Sequence, residues 1–266
     1  MGNIWATYFS ATGTTRKIAT CIADELAKRT GVKEAKQYDF TLPDVRNAEK
    51  SFSADDIVVF GVPVYAGRVP NVLLPYLQNK IHGNGAKAVP VVVFGNRNYD
   101  DALIELSMIL SGDGFFNVAA GAFVGEHAFS KTLGAGRPDA KDLEAAAGFA
   151  RAIDLNRPEP VRPKGEDPIR AYYKPRDRYG TFINILKVKP LTSDACDHCG
   201  ICAKVCPMGS ICAEDETQVR GICIKCGACV KKCPVGAKYY TDEGYLYHKT
   251  ELEEMYERRA EPEVFV

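Results

Sequence analysis

Residues 1–156 alternate short apolar runs with amphipathic stretches, a pattern typical of strands and crossover helices in a parallel sheet. The apolar runs predict five strands, near residues 3–9, 34–39, 56–61, 88–95 and 117–124. Helical periodicity between these runs predicts helices at residues 14–29, 70–79, 100–111 and 139–155. This first region is therefore predicted to be one doubly wound α/β domain.

The rest of the chain divides into a linker, a repeat and a tail. Residues 157–190 hold six prolines and many charges without lasting helix or strand periodicity, which predicts an ordered or semi-rigid linker. Residues 196–211 recur at 223–238, an offset of 27 positions at which cysteine, glycine and proline align. This duplication predicts a second, small α+β domain over residues 191–248. The tail, residues 249–266, is predicted to form a short, charged, solvated helix.

Charge and composition narrow the classes of function. The 266 residues include 34 Lys plus Arg and 34 Asp plus Glu, so there is no global attraction to nucleic acid or to an anionic membrane. The opening, MGNIWATYFS, lacks the basic and apolar regions of a signal peptide, and no apolar run approaches the length of a membrane span. These features predict a cytoplasmic protein with no nucleic-acid or membrane partner.

The cysteines are crowded into one part of the chain. Nine of the ten, all except Cys21, lie between residues 196 and 233. Such crowding in a chain without an export signal indicates thiolate metal ligands rather than disulfides. Each repeat has the spacing C-x2-C-x2-C-x3-C-P of bacterial ferredoxins, in which the fourth cysteine ligates the other cluster.

This spacing predicts two [4Fe-4S] clusters together with their connectivity. One predicted set of ligands is Cys196, Cys199, Cys202 and Cys233. The other set is Cys206, Cys223, Cys226 and Cys229. Zinc is the alternative, but structural zinc sites do not need eight cysteines in this register. Cys212 and Cys21 fit neither set and are predicted to be buried apolar side chains.

The first predicted strand ends in a loop rich in hydroxyl groups that leads directly into a helix. This loop, YFSATGTTRKIA at residues 8–19, contains Ser10, Thr12, Gly13, Thr14 and Thr15. Hydroxyls and backbone N–H groups at a helix N-terminus form an anion site. The glycine patterns of ATP and NAD loops are missing, so a monophosphate such as that of FMN fits better. An ordinary N-cap is the alternative.

Two later loops fall where such a sheet presents its carboxyl edge, GVPVYAGRVP at residues 61–70 and GNRNYDDA at 95–102. Each contains one tyrosine, Tyr65 or Tyr99, among small and polar residues, which suits stacking on a flat flavin ring. Ordinary packing is an equal alternative for either tyrosine. His127, which follows the fifth strand, is either a core histidine or a catalytic one.

Taken in order, these motifs resemble the flavodoxin/ferredoxin fusion proteins of anaerobic bacteria and archaea. The resemblance rests on YFSATGTT, GVPVYAGRVPN, GNRNYDDAL, GAFVGEHAFS, GRPDAKD and YYKPRD, followed by both cysteine motifs, and covers nearly the whole chain. It implies a flavodoxin-like parallel sheet of five strands in the order 2-1-3-4-5, followed by a two-[4Fe-4S] ferredoxin-like domain. It also implies bound FMN, with the phosphate on the hydroxyl-rich loop. The implied ring contacts are Pro63, Tyr65, Ala66, Gly67, Asn96, Arg97 and Tyr99.

The leading hypothesis is an electron-transfer protein that couples FMN to two [4Fe-4S] clusters and relays low-potential electrons between redox partners. The expected partners are a ferredoxin, a flavodoxin or an oxidoreductase, and a homodimer is possible. The alternative is an FMN-dependent reductase of a small molecule, fed by its own clusters, with His127 or Tyr99 as proton donor. A redox or iron sensor is a third hypothesis. Whether the protein is a carrier or an enzyme stays open at this point.

Overall fold

The structure, a computed structural model, describes residues 2–266. Its strands are β1 (Ile4–Tyr8), β2 (Lys36–Asp39), β3 (Lys50–Ser51), β4 (Ile57–Pro63), β5 (Ile81–His82), β6 (Lys87–Phe94), β7 (Phe116–Asn117), β8 (Ala120–Val124), β9 (Leu191–Thr192), β10 (Lys238–Tyr239) and β11 (Glu263–Phe265). Its α-helices are α1 (Thr14–Thr30), α2 (Leu74–Lys80), α3 (Ala102–Gly112), α4 (Ala140–Ala152), α5 (Ile201–Lys204), α6 (Ala228–Lys231) and α7 (Glu243–Met255). Short 3-10 helices are formed by Pro43–Asn47, Asn71–Leu73 and Ile185–Lys187.

The main sheet has the order β11-β8-β6-β4-β1-β2, and the short strand β7 also pairs with β6. Strands β1, β2, β4, β6 and β8 are mutually parallel, so counting only these five gives the order 2-1-3-4-5. This confirms the predicted flavodoxin-like topology. Strand β11, from the end of the chain, adds an antiparallel strand beside β8.

Each face of this sheet carries its own apolar core. Helices α1 and α4 cover one face through side chains such as Ile18, Leu26 and Phe149. Helices α2 and α3 cover the other face, where Phe40, Phe60 and further apolar side chains pack. Strand β6, KAVPVVVF, is apolar almost throughout because a central parallel strand is buried on both faces.

Two element boundaries differ from the sequence prediction. Helix α2 begins at Leu74, not near residue 70, because a proline fits only the first turn of a helix and Pro75 therefore marks that turn. The predicted fifth strand, 117–124, is divided into β7 and β8. Helix α4 begins as predicted, with Asp139 accepting hydrogen bonds from two amides in a capping box.

The linker, residues 157–190, lies against the first domain. Its Val161 N–H donates to the Asn117 carbonyl at 2.8 Å, and the Tyr172 hydroxyl donates to the Val69 carbonyl at 2.8 Å. The side chain of Arg170 donates to both carboxylate oxygens of Asp101, at 2.9 and 3.0 Å. The linker is therefore an ordered strap without α-helix or β-strand over these residues.

The duplicated cysteine region has the same backbone conformation in both copies. Gly200 and Gly227 have φ values of 71° and 73°, and His198 and Lys225, also 27 positions apart, have 55° and 53°. Each glycine precedes one of the four-residue helices α5 and α6. The sequence repeat is therefore also a structural repeat, closed by the antiparallel pair β9 and β10.

The tail differs from the prediction of a solvated cap. Helix α7 already begins at Glu243, with the Asp242 side chain as its N-cap, and it buries Tyr245, His248 and Leu252. The chain then returns to the first domain as β11, next to buried Ala260. Sequence reasoning missed this strand because EVF is too short to show periodicity. Within residues 2–266, no helix is long and apolar enough to cross a membrane.

Candidate functional site

The loop after β1 presents unpaired backbone amides at the start of α1. Gly13 is the N-cap, in a left-handed conformation (φ 97°), and no atom lies within 4 Å of where a β-carbon would be. The Arg16 amide donates to the Ser10 hydroxyl at 2.9 Å, whereas within residues 2–266 the amides of Thr14 and Thr15 have no acceptor. The first turn contains no acidic side chain. These groups fit the predicted phosphate of FMN.

The neighbouring loops converge on this edge of the sheet. A β-carbon on Gly125 would lie 3.0 Å from Thr14 Cβ, and one on Gly67 would lie 3.0 Å from Asp100 Cβ. The loops that follow β1, β4, β6 and β8 therefore meet where the sheet topology changes direction. This is the location at which doubly wound folds bind their ligands.

The loop after β4 contributes a tight turn that faces the second domain. Tyr65 and Arg68 exchange backbone hydrogen bonds across Ala66 and Gly67, which both have positive φ values. Burial raises the pKa of Tyr65 well above its usual value, and the thiolates of Cys226 and Cys223 raise this pKa further. Tyr65 therefore lies near the cysteine repeat. Pro63 ends β4 at the same edge and is half-buried.

The loop after β6 uses its side chains differently from the prediction of ring contacts. The Asn96 amide donates to the carbonyls of Tyr256 and Arg258, both at 2.7 Å. Arg97 pairs with Asp100, and the Tyr99 hydroxyl donates to the Glu263 carboxylate at 2.5 Å. The structure thus places these three residues at the edge but directs their side-chain polar groups toward protein partners. Their role in binding FMN stays a prediction.

His127 and Tyr99, the two candidate proton donors of a reductase, both form hydrogen bonds within the protein. Burial, with Lys231 nearby, lowers the pKa of His127 to about 4, so its ring is neutral at physiological pH. Its Nδ1 accepts a hydrogen bond from the Phe129 amide at 3.1 Å. Burial and the hydrogen bond to Glu263 raise the pKa of Tyr99. Neither group is a strong acid in this arrangement.

The eight motif cysteines separate into two groups, each around its own cavity. The first cavity, which we call the inner cage, is lined by Cys206, Cys223, Cys226 and Cys229. The second, the outer cage, is lined by Cys196, Cys199, Cys202 and Cys233. These are the two crossed sets that the spacing predicts. Within residues 2–266, no three candidate ligand side chains converge closely enough to hold a single metal ion.

The crossing cysteines have equivalent surroundings in the two repeats. The Ser210 amide donates to Cys206 Sγ at 3.4 Å, and the Ala237 amide, 27 positions later, donates to Cys233 Sγ at 3.2 Å. Amide donors favour the thiolate form, so the chemistry of both cages fits iron–sulfur clusters. The ligand assignment itself remains a prediction. Cys212 is buried outside both cages as predicted, but its thiol donates a hydrogen bond to the Glu214 carboxylate at 3.0 Å. Cys21, predicted to be buried as well, is only partly buried.

The inner cage packs against the loop after β8 of the first domain. Gly227 is so close to the loop after β8 that a β-carbon there would lie 2.4 Å from the Ala128 carbonyl oxygen. Next to it, Lys231 forms an ion pair with Glu126 and donates to the Ser130 carbonyl. Cys226 is part of the same apolar core as the helices α2 and α3. The outer cage, in contrast, includes the exposed Cys199.

Comparisons with known proteins find different domains in the N-terminal and C-terminal parts of the chain. A flavodoxin-domain family model matches residues 6–102, and two 4Fe-4S binding-domain models match residues 193–209 and 219–239. No curated protein matches the chain.

Among solved structures, the chain is similar to a short-chain flavodoxin associated with a non-canonical PDU bacterial microcompartment, at 18% identity, 57% coverage of this chain, 97% of the other and a TM-score of 0.38. It is also similar to a flavodoxin of Streptococcus pneumonia TIGR4, at 19% identity, 55% and 94% coverage and a TM-score of 0.37. A third similar structure is the NADH:FMN oxidoreductase EMOB, at 18% identity, 59% and 92% coverage and a TM-score of 0.38.

The flavodoxin match implies FMN as the cofactor of the first domain, and the two 4Fe-4S matches imply two clusters in the second. The protein is therefore an FMN and iron–sulfur redox protein. With a flavodoxin domain at its N-terminus and two 4Fe-4S ferredoxin-type modules at its C-terminus, the chain matches the domain order of a flavodoxin/ferredoxin fusion.

Proposed function

We propose that this protein relays electrons between its FMN and its two clusters within one chain, with the inner cage between the flavin loops and the outer cage. The packing of Gly227 against Ala128 carries the proposal, because at this point there is no space for even a methyl group between the cysteine region and the loop after β8. Bound FMN exchanges electrons singly or in pairs, and [4Fe-4S] clusters exchange them singly.

The residues at this contact have a structural task in the relay. Lys231 holds the inner cage against the loop after β8 through Glu126 and the Ser130 carbonyl. Tyr65 packs against the apolar core that also contains Cys226, and so links the loop after β4 to the inner cage. The exposed Cys199 places the outer cage where a ferredoxin, a flavodoxin or an oxidoreductase can dock.

The relay is tested by stopped-flow reduction of the anaerobically isolated protein with a one-electron donor. We expect about eight iron and eight labile sulfide per chain. Clusters and flavin should then be reduced in linked phases, at an exchange rate independent of protein concentration. Measuring the oligomeric state over the same concentrations separates exchange within one chain from exchange between subunits.

Reversing the charge of Lys231, which pairs with Glu126, tests whether the exchange rate depends on this contact. Lys231→Glu places a carboxylate beside Glu126 and should slow flavin–cluster exchange, whereas Lys232→Glu alters an exposed neighbour and should not. Equal exchange rates in the two variants, with full iron and FMN, would contradict the relay. If one small molecule reoxidised the flavin with saturable kinetics far faster than any protein acceptor, the reductase alternative would replace it.

A further inference from the structure

Lys238 is buried beside the cysteine cages without a carboxylate partner. The side chain of Lys238 is almost fully buried, at 3% exposure for the residue. Its Nζ donates to the Thr192 hydroxyl at 2.6 Å and to the main-chain carbonyl oxygen of Glu216. Both acceptors are neutral, and the carboxylate of Glu216 instead lies 3.1 Å from His198 Nδ1. A buried cation of this kind needs an opposite charge nearby.

The sequence repeat shows that this cation distinguishes the two cages. Lys238 lines the outer cage, and the residue 27 positions earlier, Ile211, lines the inner cage at the equivalent place. Ile211 is also buried, at 7% exposure. One cage thus has an ammonium group where the other has an apolar side chain.

Two other charged groups near the cages are placed differently. Lys225 is buried too, but its Nζ donates to the carbonyls of Leu186 and Cys223, and it lines neither cage. Glu216 lines the outer cage, with its negative charge beside His198. Lys238 is thus the buried lysine that lines a cage.

We propose that Lys238 is a fixed positive charge that raises the reduction potential of the cluster in the outer cage. A cluster becomes more negative when it accepts an electron, so a buried cation next to it stabilises the reduced form. Electrons that arrive through the inner cage would then collect at the cage that contains exposed Cys199. This inference rests on the relay and the cluster ligation proposed above.

The test is a redox titration of the full-length protein, followed by electron paramagnetic resonance of the reduced clusters. Lys238→Met removes the charge, and Lys238→Gln removes it while keeping a donor for Thr192. Both should lower one cluster potential more than the other, whereas Lys238→Arg should restore it. Lys232→Met is the control, because Lys232 adjoins Cys233 but is exposed, and solvent screens its charge.

Iron analysis separates the possible failures. If the wild-type protein lacks two four-iron clusters, the proposed function fails and not this inference alone. If Lys238→Met loses iron, the cluster potentials of the Lys238→Gln variant are compared with those of the wild-type protein instead. The inference is overturned if the charge-removing variant keeps both clusters and its potentials shift no more than those of Lys232→Met.

Discussion

We predict that the Asn96 side chain holds the C-terminal segment, residues 256–266, against the first domain; we call this role a latch. The loop that contains Asn96 was predicted from the sequence to bind the flavin, so replacing Asn96 tests which of the two roles it has. Its side chain makes three hydrogen bonds to this segment. The amide group donates to the carbonyls of Tyr256 and Arg258, both at 2.7 Å, and the oxygen accepts from the Ala260 amide at 3.1 Å. The residue is 2% exposed. Asn96→Ala removes all three bonds at once, together with the one that the Arg137 side chain donates to the same oxygen at 3.1 Å.

The expected magnitude follows from this count. A net contribution of about 1 kcal/mol per hydrogen bond lowers the opening free energy of the segment by about 3 kcal/mol. That change corresponds to roughly hundredfold faster exchange of its amide hydrogens. Asn84→Ala is the matched control, because Asn84 also has a positive φ (49° against 64° for Asn96) but bonds only to the Phe52 carbonyl. It should leave the tail unchanged.

The assay is hydrogen exchange of the amides of residues 256–266, measured on the FMN-loaded protein under native conditions. A tail that exchanged equally slowly in Asn96→Ala and Asn84→Ala would refute the latch. If Asn96→Ala weakened FMN binding without loosening the tail, the residue would be a flavin contact, as its sequence motif implies. Both results can be obtained from the same samples by adding a flavin titration.

Three further predictions concern the cages, the phosphate loop and pH. Cys206→Ser should damage the cluster of the inner cage, whereas Cys212→Ser should leave both clusters intact, as measured by iron analysis and electron paramagnetic resonance. Loss of a cluster in Cys212→Ser but not in Cys206→Ser would contradict the ligand assignment. Thr12→Val with Thr15→Val should weaken FMN binding by about 1.5–3 kcal/mol per lost phosphate contact, measured by titrating the apo form. Burial raises the pKa of Asp113 to about 6 from 3.8. Because ionising this carboxyl then costs the folded state stability, Asp113→Asn should raise the thermal midpoint above pH 6 and not below pH 4.

The site divides into features that local sequence could reveal and features that it could not. The start of α4 next to Asp139 was predictable, and the phosphate loop and the cysteine sets are predictions of the same kind, because each depends on residues a few positions apart or on an internal repeat. The binding partners of Asn96 were not predictable, because they lie 160 or more positions away along the chain. Asp101 is similar, because its carboxylate accepts hydrogen bonds from Arg170 of the linker, 69 positions away.

The sequence by itself determined the strands of a parallel sheet and the two cofactor types, since alternating hydrophobicity and ligand spacing depend on neighbouring residues. The order of the strands was implied by the resemblance to flavodoxin/ferredoxin fusions, and the crossed cysteine sets stay a prediction from their spacing. Only the tertiary structure decided that the inner cage faces the flavin loops, that β11 joins the sheet and that Lys238 lines one cage alone. These features arise from the packing of distant surfaces, where shape and burial select the contacts and no local periodicity records them.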